Sequence, residues 1–80
     1  MPRFTDTHVF RAQIFSLGID NETGGFYLST PISEAFRAAE FEAYYAISEA
    51  EYRLFAGDPA LAGSFTEDCR MGREKSRRLA

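Results

Sequence analysis

Thr30-Pro31 opens and Gly57 closes the segment that most constrains this chain. Threonine can cap free amide groups, and proline fits a first helical turn, where its missing donor is not needed. Between them Ile32, Phe36, Ala39, Ala43, Ile47, Ala50 and Leu54 recur at successive gaps of four, three, four, four, three and four residues. At about 100° per residue these positions line one side of a helix. The spacing predicts one long helix with that stripe as its core face. Its alanines predict close approach to the packing partner, because a small side chain lets backbones come near.

The same wheel gathers Phe41, Tyr45 and Tyr52, and more loosely Tyr44 and Phe55, roughly opposite the core stripe. Glu40 and Glu51 lie on one flank of these rings, and Glu42 and Glu49 on the other with Arg53 beside them. Carboxylates therefore fence a second apolar face. One reading has the C-terminal segment, or another subunit, cover this face as packing. The other makes it a binding face, with rings as anchors and acids as electrostatic selectors.

Upstream, His8 to Leu17 reads as a strand, with Phe10, Ala12 and Ile14 on one face and Val9, Arg11, Gln13, Phe15 and Leu17 on the other. The segment Gly18 to Gly25, GIDNETGG, concentrates residues that accept turns and positive φ, and predicts a hairpin loop. Gly25 to Thr30 then supplies a second, antiparallel strand, Phe26 and Leu28 facing one way and Tyr27 and Ser29 the other. A lone hairpin is marginal in water, so its apolar face must meet the helix or a second copy of itself. Downstream, Asp58-Pro59 repeats the cap-then-proline signal, and Ser64 to Glu67 has the spacing of a capping box. A second helix follows, with Leu61, Phe65, Cys69 and Met71 as its apolar content and Gly63 and Gly72 as interruptions. The expected fold class is α+β: a two-stranded antiparallel hairpin packed on one long helix, then a shorter C-terminal helix. It forms one small domain over residues 1–80 with a basic, frayed end at about 70–80.

Eighty residues hold one small core and no more. Cys69 is the only cysteine, so no internal disulfide is available. The first residues lack the apolar run of a secretory signal, and no stretch reaches the roughly 20 apolar residues of a membrane span, which places the chain in the cytoplasm. On that ground the glycosylation triplet Asn21-Glu22-Thr23 reads as chance. The net charge of −3 is unevenly spread. Acids dominate residues 1–68, whereas Arg70, Arg73, Lys75, Arg77 and Arg78 face Glu74 alone in the last twelve. An acidic body repels nucleic acid and attracts basic protein surfaces, more weakly as salt rises.

Enzymatic readings fail on inventory. His8 and Cys69 are the only members of their types and carry no motif around them, so neither predicts nucleophilic catalysis. The carboxylates lack the spacing of a calcium loop, and Gly24-Gly25 is followed by no phosphate-loop lysine. The chain is expected to use no cofactor and no metal. What remains is an interaction protein, possessing either an acidic-aromatic surface or, as the alternative, a small dimeric DNA-binding regulator's strand face. In the alternative, Arg11 and Gln13 enter the major groove as the paired strands of ribbon-helix-helix dimers do. In size, acidity, α+β plan and absence of motifs, the chain resembles the phage-encoded anti-CRISPR inhibitors, several of which look like DNA to the Cascade-type complexes they block. That resemblance implies a stoichiometric inhibitor contacting Cas subunits that would otherwise bind target DNA. The resemblance carries no residue over; the chain's own acidic-aromatic surface nominates the acids Asp20, Glu22, Glu40, Glu42, Glu49 and Glu51, beside the rings Phe41, Tyr45 and Tyr52. The unsatisfied hairpin edge and the second apolar helix face also predict that two chains pair.

Overall fold

The computed structural model describes residues 2–33 and 40–79. Four strands run antiparallel in the order β1-β2-β3-β4: β1 (Phe4–Phe10), β2 (Phe15–Asp20), β3 (Phe26–Ile32) and β4 (Phe41–Ile47). Two short helices follow, α1 (Glu49–Gly57) and α2 (Gly63–Arg70), joined by a 3-10 turn over Pro59–Ala62. A second 3-10 turn, Lys75–Arg77, leads into the C-terminal residues.

The two-stranded hairpin on one long helix is therefore overturned. Thr30 and Pro31 do not start a helix; both lie in β3, where Thr30 Oγ1 donates to the Ile14 carbonyl at 2.9 Å. Pro31 stands beyond the last β2–β3 pair, Ser16 with Ser29, so its missing N–H leaves no rung there unmade. The centre of the expected helix is β4, whose seven residues pair with β3 from Phe26–Ile47 to Ile32–Phe41. Among the described residues, only its last part is helical. There Ser48 accepts from the Glu51 amide at 3.1 Å while the Glu51 carboxylate accepts from the Ser48 amide at 2.8 Å, a reciprocal cap that fixes where α1 begins. Of the expected core stripe, Ile32, Ala43 and Ile47 are buried, Ala50 and Leu54 are exposed, and Phe36 and Ala39 lie outside the described residues.

The single strand expected over His8 to Leu17 is also divided. Arg11–Ile14 forms a turn between β1 and β2, so Arg11 and Gln13 are not on a strand face and the ribbon geometry of a DNA reader is not formed by them. Ile14 sits at φ 60, an uncommon conformation for a β-branched residue. The GIDNETGG loop does make a hairpin, with the turn at Asn21–Gly24 and Gly24 at φ 77. As expected, β2 and β3 pair antiparallel. The cap at Asp58 forms, its side chain accepting from the Ala60 amide. The Ser64–Glu67 capping box does not, because the 3-10 turn runs directly into α2 and the Gly63 amide already donates to the Ala60 carbonyl.

Both helices pack on one face of the sheet. Phe15, Leu17, Leu28 and Ile47 meet Phe55 and Ala62, while Ile32, Ala43 and Tyr45 meet Cys69, with Phe65 packed against both groups. Each large apolar side chain fully buried here contributes about 1.5–3 kcal/mol from surface removed from water. Burial also pushes the Cys69 thiol up to about 12, so it behaves as a small core hydrophobe. No described helix is long and apolar enough to cross a membrane.

Neither outer edge of the sheet is a plain strand. β1 carries a bulge between Asp6 and His8, and the C-terminal residues lie along β4, where Arg78 bridges to Tyr45 and the Leu79 amide donates to the Tyr44 carbonyl at 2.7 Å. Bulges and covering segments are the usual means of blunting an edge.

Candidate functional site: two acidic-aromatic surfaces

The face of the sheet that no described helix covers, the helix-free face, has its own small core. Tyr27 is 0% exposed and lies across Gly18, its hydroxyl donating to Asp6 on β1. Above it Phe4 stacks on Tyr44 with centroids 4.0 Å apart and planes 9° from parallel, and both rings meet Tyr27 edge-on. Three strands thus meet through three rings. The Arg3 guanidinium covers Phe4 at 4.9 Å. Burial raises the Tyr27 pKa, and its hydrogen bond to Asp6 adds to that; burial raises Tyr44 too, reinforced by the charges of Glu42 and Asp6. Both phenols stay neutral, and two carboxylates sit close enough to influence them.

Those two carboxylates, Asp6 and Glu42, are exposed, and among the described residues neither has a cation within ion-pair distance. Towards the Arg11–Ile14 turn, Val9, Arg11, Ile14, Pro31 and Glu42 border a shallow groove of about 310 Å³. Val9 is 57% and Ile14 53% exposed there. Exposed apolar residues rimmed by charge, one of them held in a strained backbone conformation, are the surface features that most often mark contact with another molecule.

The second surface lies along the outer edge of β4 and is occupied by the chain itself. Arg77 Nη1 reaches Glu51 at 2.9 Å and the Ala46 carbonyl at 3.3 Å, its Nε reaches Glu74 at 3.1 Å, and its guanidinium lies 5.3 Å over the Phe65 ring. Arg78 lies 5.1 Å over Phe41. Burial opposes the charge on Glu51, but the Ser48 amide and Arg77 outweigh it and hold its carboxyl below the usual range.

The expected site residues are consequently dispersed. Phe41 and Glu51 lie beneath the basic C-terminal residues, Arg78 over the Phe41 ring and Arg77 on the Glu51 carboxylate. Tyr45 is buried under α2. Tyr52 packs on Phe26 with centroids 4.4 Å apart and bonds to Thr7 at 2.6 Å, on the opposite side of the helical layer's contact with the sheet. Glu42 belongs to the helix-free face, Glu40 is exposed just before β4, and Glu49 is exposed with Arg53 at 3.4 Å. Glu22 pairs with Arg3 at 2.8 Å. Asp20 is 1% exposed and unable to touch a partner: both of its oxygens accept from Arg3 at 3.2 Å, and the Glu22 amide donates to one of them. Phe4, Asp6 and Tyr27 were missed, because the strand reading began at His8 and a helix reading scattered their partners on β4.

The Arg3 pair makes a pH prediction. Hydrogen bonding from Arg3 and from the Glu22 amide outweighs the burial of Asp20 and holds its carboxyl below the ordinary value of 3.8. A lowered folded-state pKa stabilises above the unfolded value and loses that contribution as pH falls through the folded one. Asp20→Asn should therefore remove part of the acid limb below pH 3.8, seen as a flatter fall of melting temperature with pH. An unchanged limb would show that the pair does not couple to folding.

No protein-family model, curated protein or solved structure matches this chain.

Proposed function

We propose that this chain is a small stoichiometric inhibitor that lays the helix-free face of its sheet on a basic surface of a partner protein and excludes nucleic acid from it. The observation that carries the reading is the set of rings Phe4, Tyr27 and Tyr44 flanked by Asp6 and Glu42, two exposed carboxylates without a cation of their own among the described residues. A basic partner supplies the missing cations, and exposed Val9 and Ile14 add apolar contact at the rim. The net charge of −3 steers approach to such a surface and away from phosphate. The resemblance to anti-CRISPR inhibitors nominates a Cascade-type complex as the partner to test first.

The test is the anisotropy of a labelled target duplex bound to the purified complex. An equimolar amount of this protein should displace the duplex or prevent its binding. Glu42→Lys should slow association about tenfold at low salt, and the difference should shrink as salt rises, since a rim charge acts through steering. Duplex binding that is unchanged at saturating protein would defeat the assignment to Cascade-type complexes, and a direct shift of duplex DNA by this protein alone would defeat the reading itself.

A further inference from the structure

The outer edge of β4 already binds a peptide, which is the chain's own C-terminal end. The fit is chemical as well as geometric. Arg77 is received by Glu51, the Ala46 carbonyl and the Phe65 ring, Arg78 by the Phe41 ring and the backbone of Tyr45, and the next amide, of Leu79, by the Tyr44 carbonyl. The attachment lies partly in solvent: the Arg77 side chain is 39% accessible and those of its partners Glu51 and Glu74 are 27% and 23%. Partly exposed pairs are weakened by salt, and segments held mainly by such contacts open without the rest of the fold. Gly72, at φ 77, lies within the turn over residues 71–74 by which this segment departs α2.

We propose that the β4 edge is a strand-docking site for an extended basic segment of a partner protein, two adjacent arginines followed by an aliphatic residue, and that Arg77–Arg78–Leu79 occupies it in cis as a displaceable stand-in. Backbone pairing supplies affinity in such additions, and the side-chain positions supply specificity. Here specificity lies in the guanidinium-binding set of Glu51, Phe65 and Phe41. The cis segment competes at the high effective concentration its short tether gives it, so the site is open to a partner in proportion to how often the segment leaves. The inference concerns a different surface from the helix-free face and does not depend on nucleic acid.

The experiment uses a fluorescent peptide of sequence Lys-Ser-Arg-Arg-Leu with blocked ends, titrated with the full chain and with the full-length variant Arg77→Ala/Arg78→Ala. The variant should bind it at least about tenfold more tightly than the parent, having lost the competitor. Adding Glu51→Gln should remove that gain. Binding to neither protein, or equal binding to both, would overturn the proposal. Should the double variant lose its native circular dichroism, hydrogen exchange of the parent decides instead. The Leu79 amide should exchange well before the amides of the β2–β3 ladder, and exchange of all of them in one event would overturn it. Sedimentation of the parent as a dimer that the peptide dissolves would place a second copy at the edge and defeat the assignment to a partner. None of these measurements touches duplex exclusion, so either reading can fail while the other stands.

Discussion

Gly18→Ala should cost this domain a large share of its stability. A Cβ at this position would fall far inside the van der Waals distance of the Thr5 carbonyl oxygen and 2.5 Å from the Tyr27 hydroxyl. Neither neighbour can retreat. Thr5 belongs to β1 and is held in register opposite Ile19, and Tyr27 is 0% exposed beneath Phe4 and Tyr44. Relief requires β1 to leave β2 or Tyr27 to leave its bed, and the second option also breaks its bond to Asp6. Overpacking a core usually costs about 1–3 kcal/mol, and a clash with backbone belongs at or above the top of that range. A domain whose whole stability is about 5–15 kcal/mol, and which at this length sits near the lower bound, does not absorb that easily. The measurement is urea unfolding followed by circular dichroism. A midpoint within error of the parent would mean that Tyr27 does not lie across Gly18, and the small core of the helix-free face would have to be redrawn.

The β2–β3 hairpin was legible because its turn announces itself: Asp20, Asn21 and Gly24 tolerate the conformations the loop adopts, and period-two alternation sorted Phe26 and Leu28 from Tyr27 and Ser29 correctly. The β1–β2 turn was not, since Arg-Ala-Gln-Ile contains no residue that favours a turn and places isoleucine at φ 60. The mistake over β4 has a geometric cause. Residues four apart share a face in a helix and also in a strand, so Ala43 and Ile47 satisfied both periods, and the proline and glycine at the ends of the segment tipped the reading to helix. Tyr45 separates the two: on a helix it lies away from Ala43 and Ile47, on a strand it lies with them, and the structure buries all three. Pairing with β3 decided the matter, and a pairing partner is non-local information that local propensity does not contain.

Charge was read more successfully than geometry. The basic end and the acidic segment that begins at Glu40 were both visible in the sequence, and the structure brings Arg77 to Glu51 and Glu74. What the sequence lacked was the direction of that attraction. A basic end three to twenty-six residues from its acids can serve an external partner or fold back, and only the position of β4 at the sheet edge makes folding back possible. Asp6 and Glu42, beside the rings of the other face, are among the described carboxylates that no such cation reaches.

Tyr45→Ala is expected to separate packing from recognition on β4. Tyr45 is 2% exposed, lies with Ala43 and Ile32 against Cys69 of α2, sets its hydroxyl 3.5 Å from the Cys69 carbonyl, and meets Phe65 edge-on at 6.4 Å. Truncation opens a cavity between the sheet and α2, an eight-residue helix without a side-chain cap and thus with little stability apart from this contact. Large aromatic-to-alanine changes of this kind cost about 3–5 kcal/mol, which in a domain of this size lowers Tm by about 12 °C or more. Tyr45→Phe keeps the volume and gives up the long hydrogen bond to the Cys69 carbonyl, and should stay within about 1 kcal/mol of the parent. Glu42→Lys, two residues before Tyr44 on the exposed side of the same strand, should shift stability by no more than about 0.5 kcal/mol, as surface changes away from specific contacts do. Thermal unfolding of the three variants beside the parent checks the ordering. If Tyr45→Ala melts within a few degrees of the parent, its ring is not part of the core, the contact of α2 with β4 is not what holds that helix, and Tyr45 becomes available as an anchor for a partner.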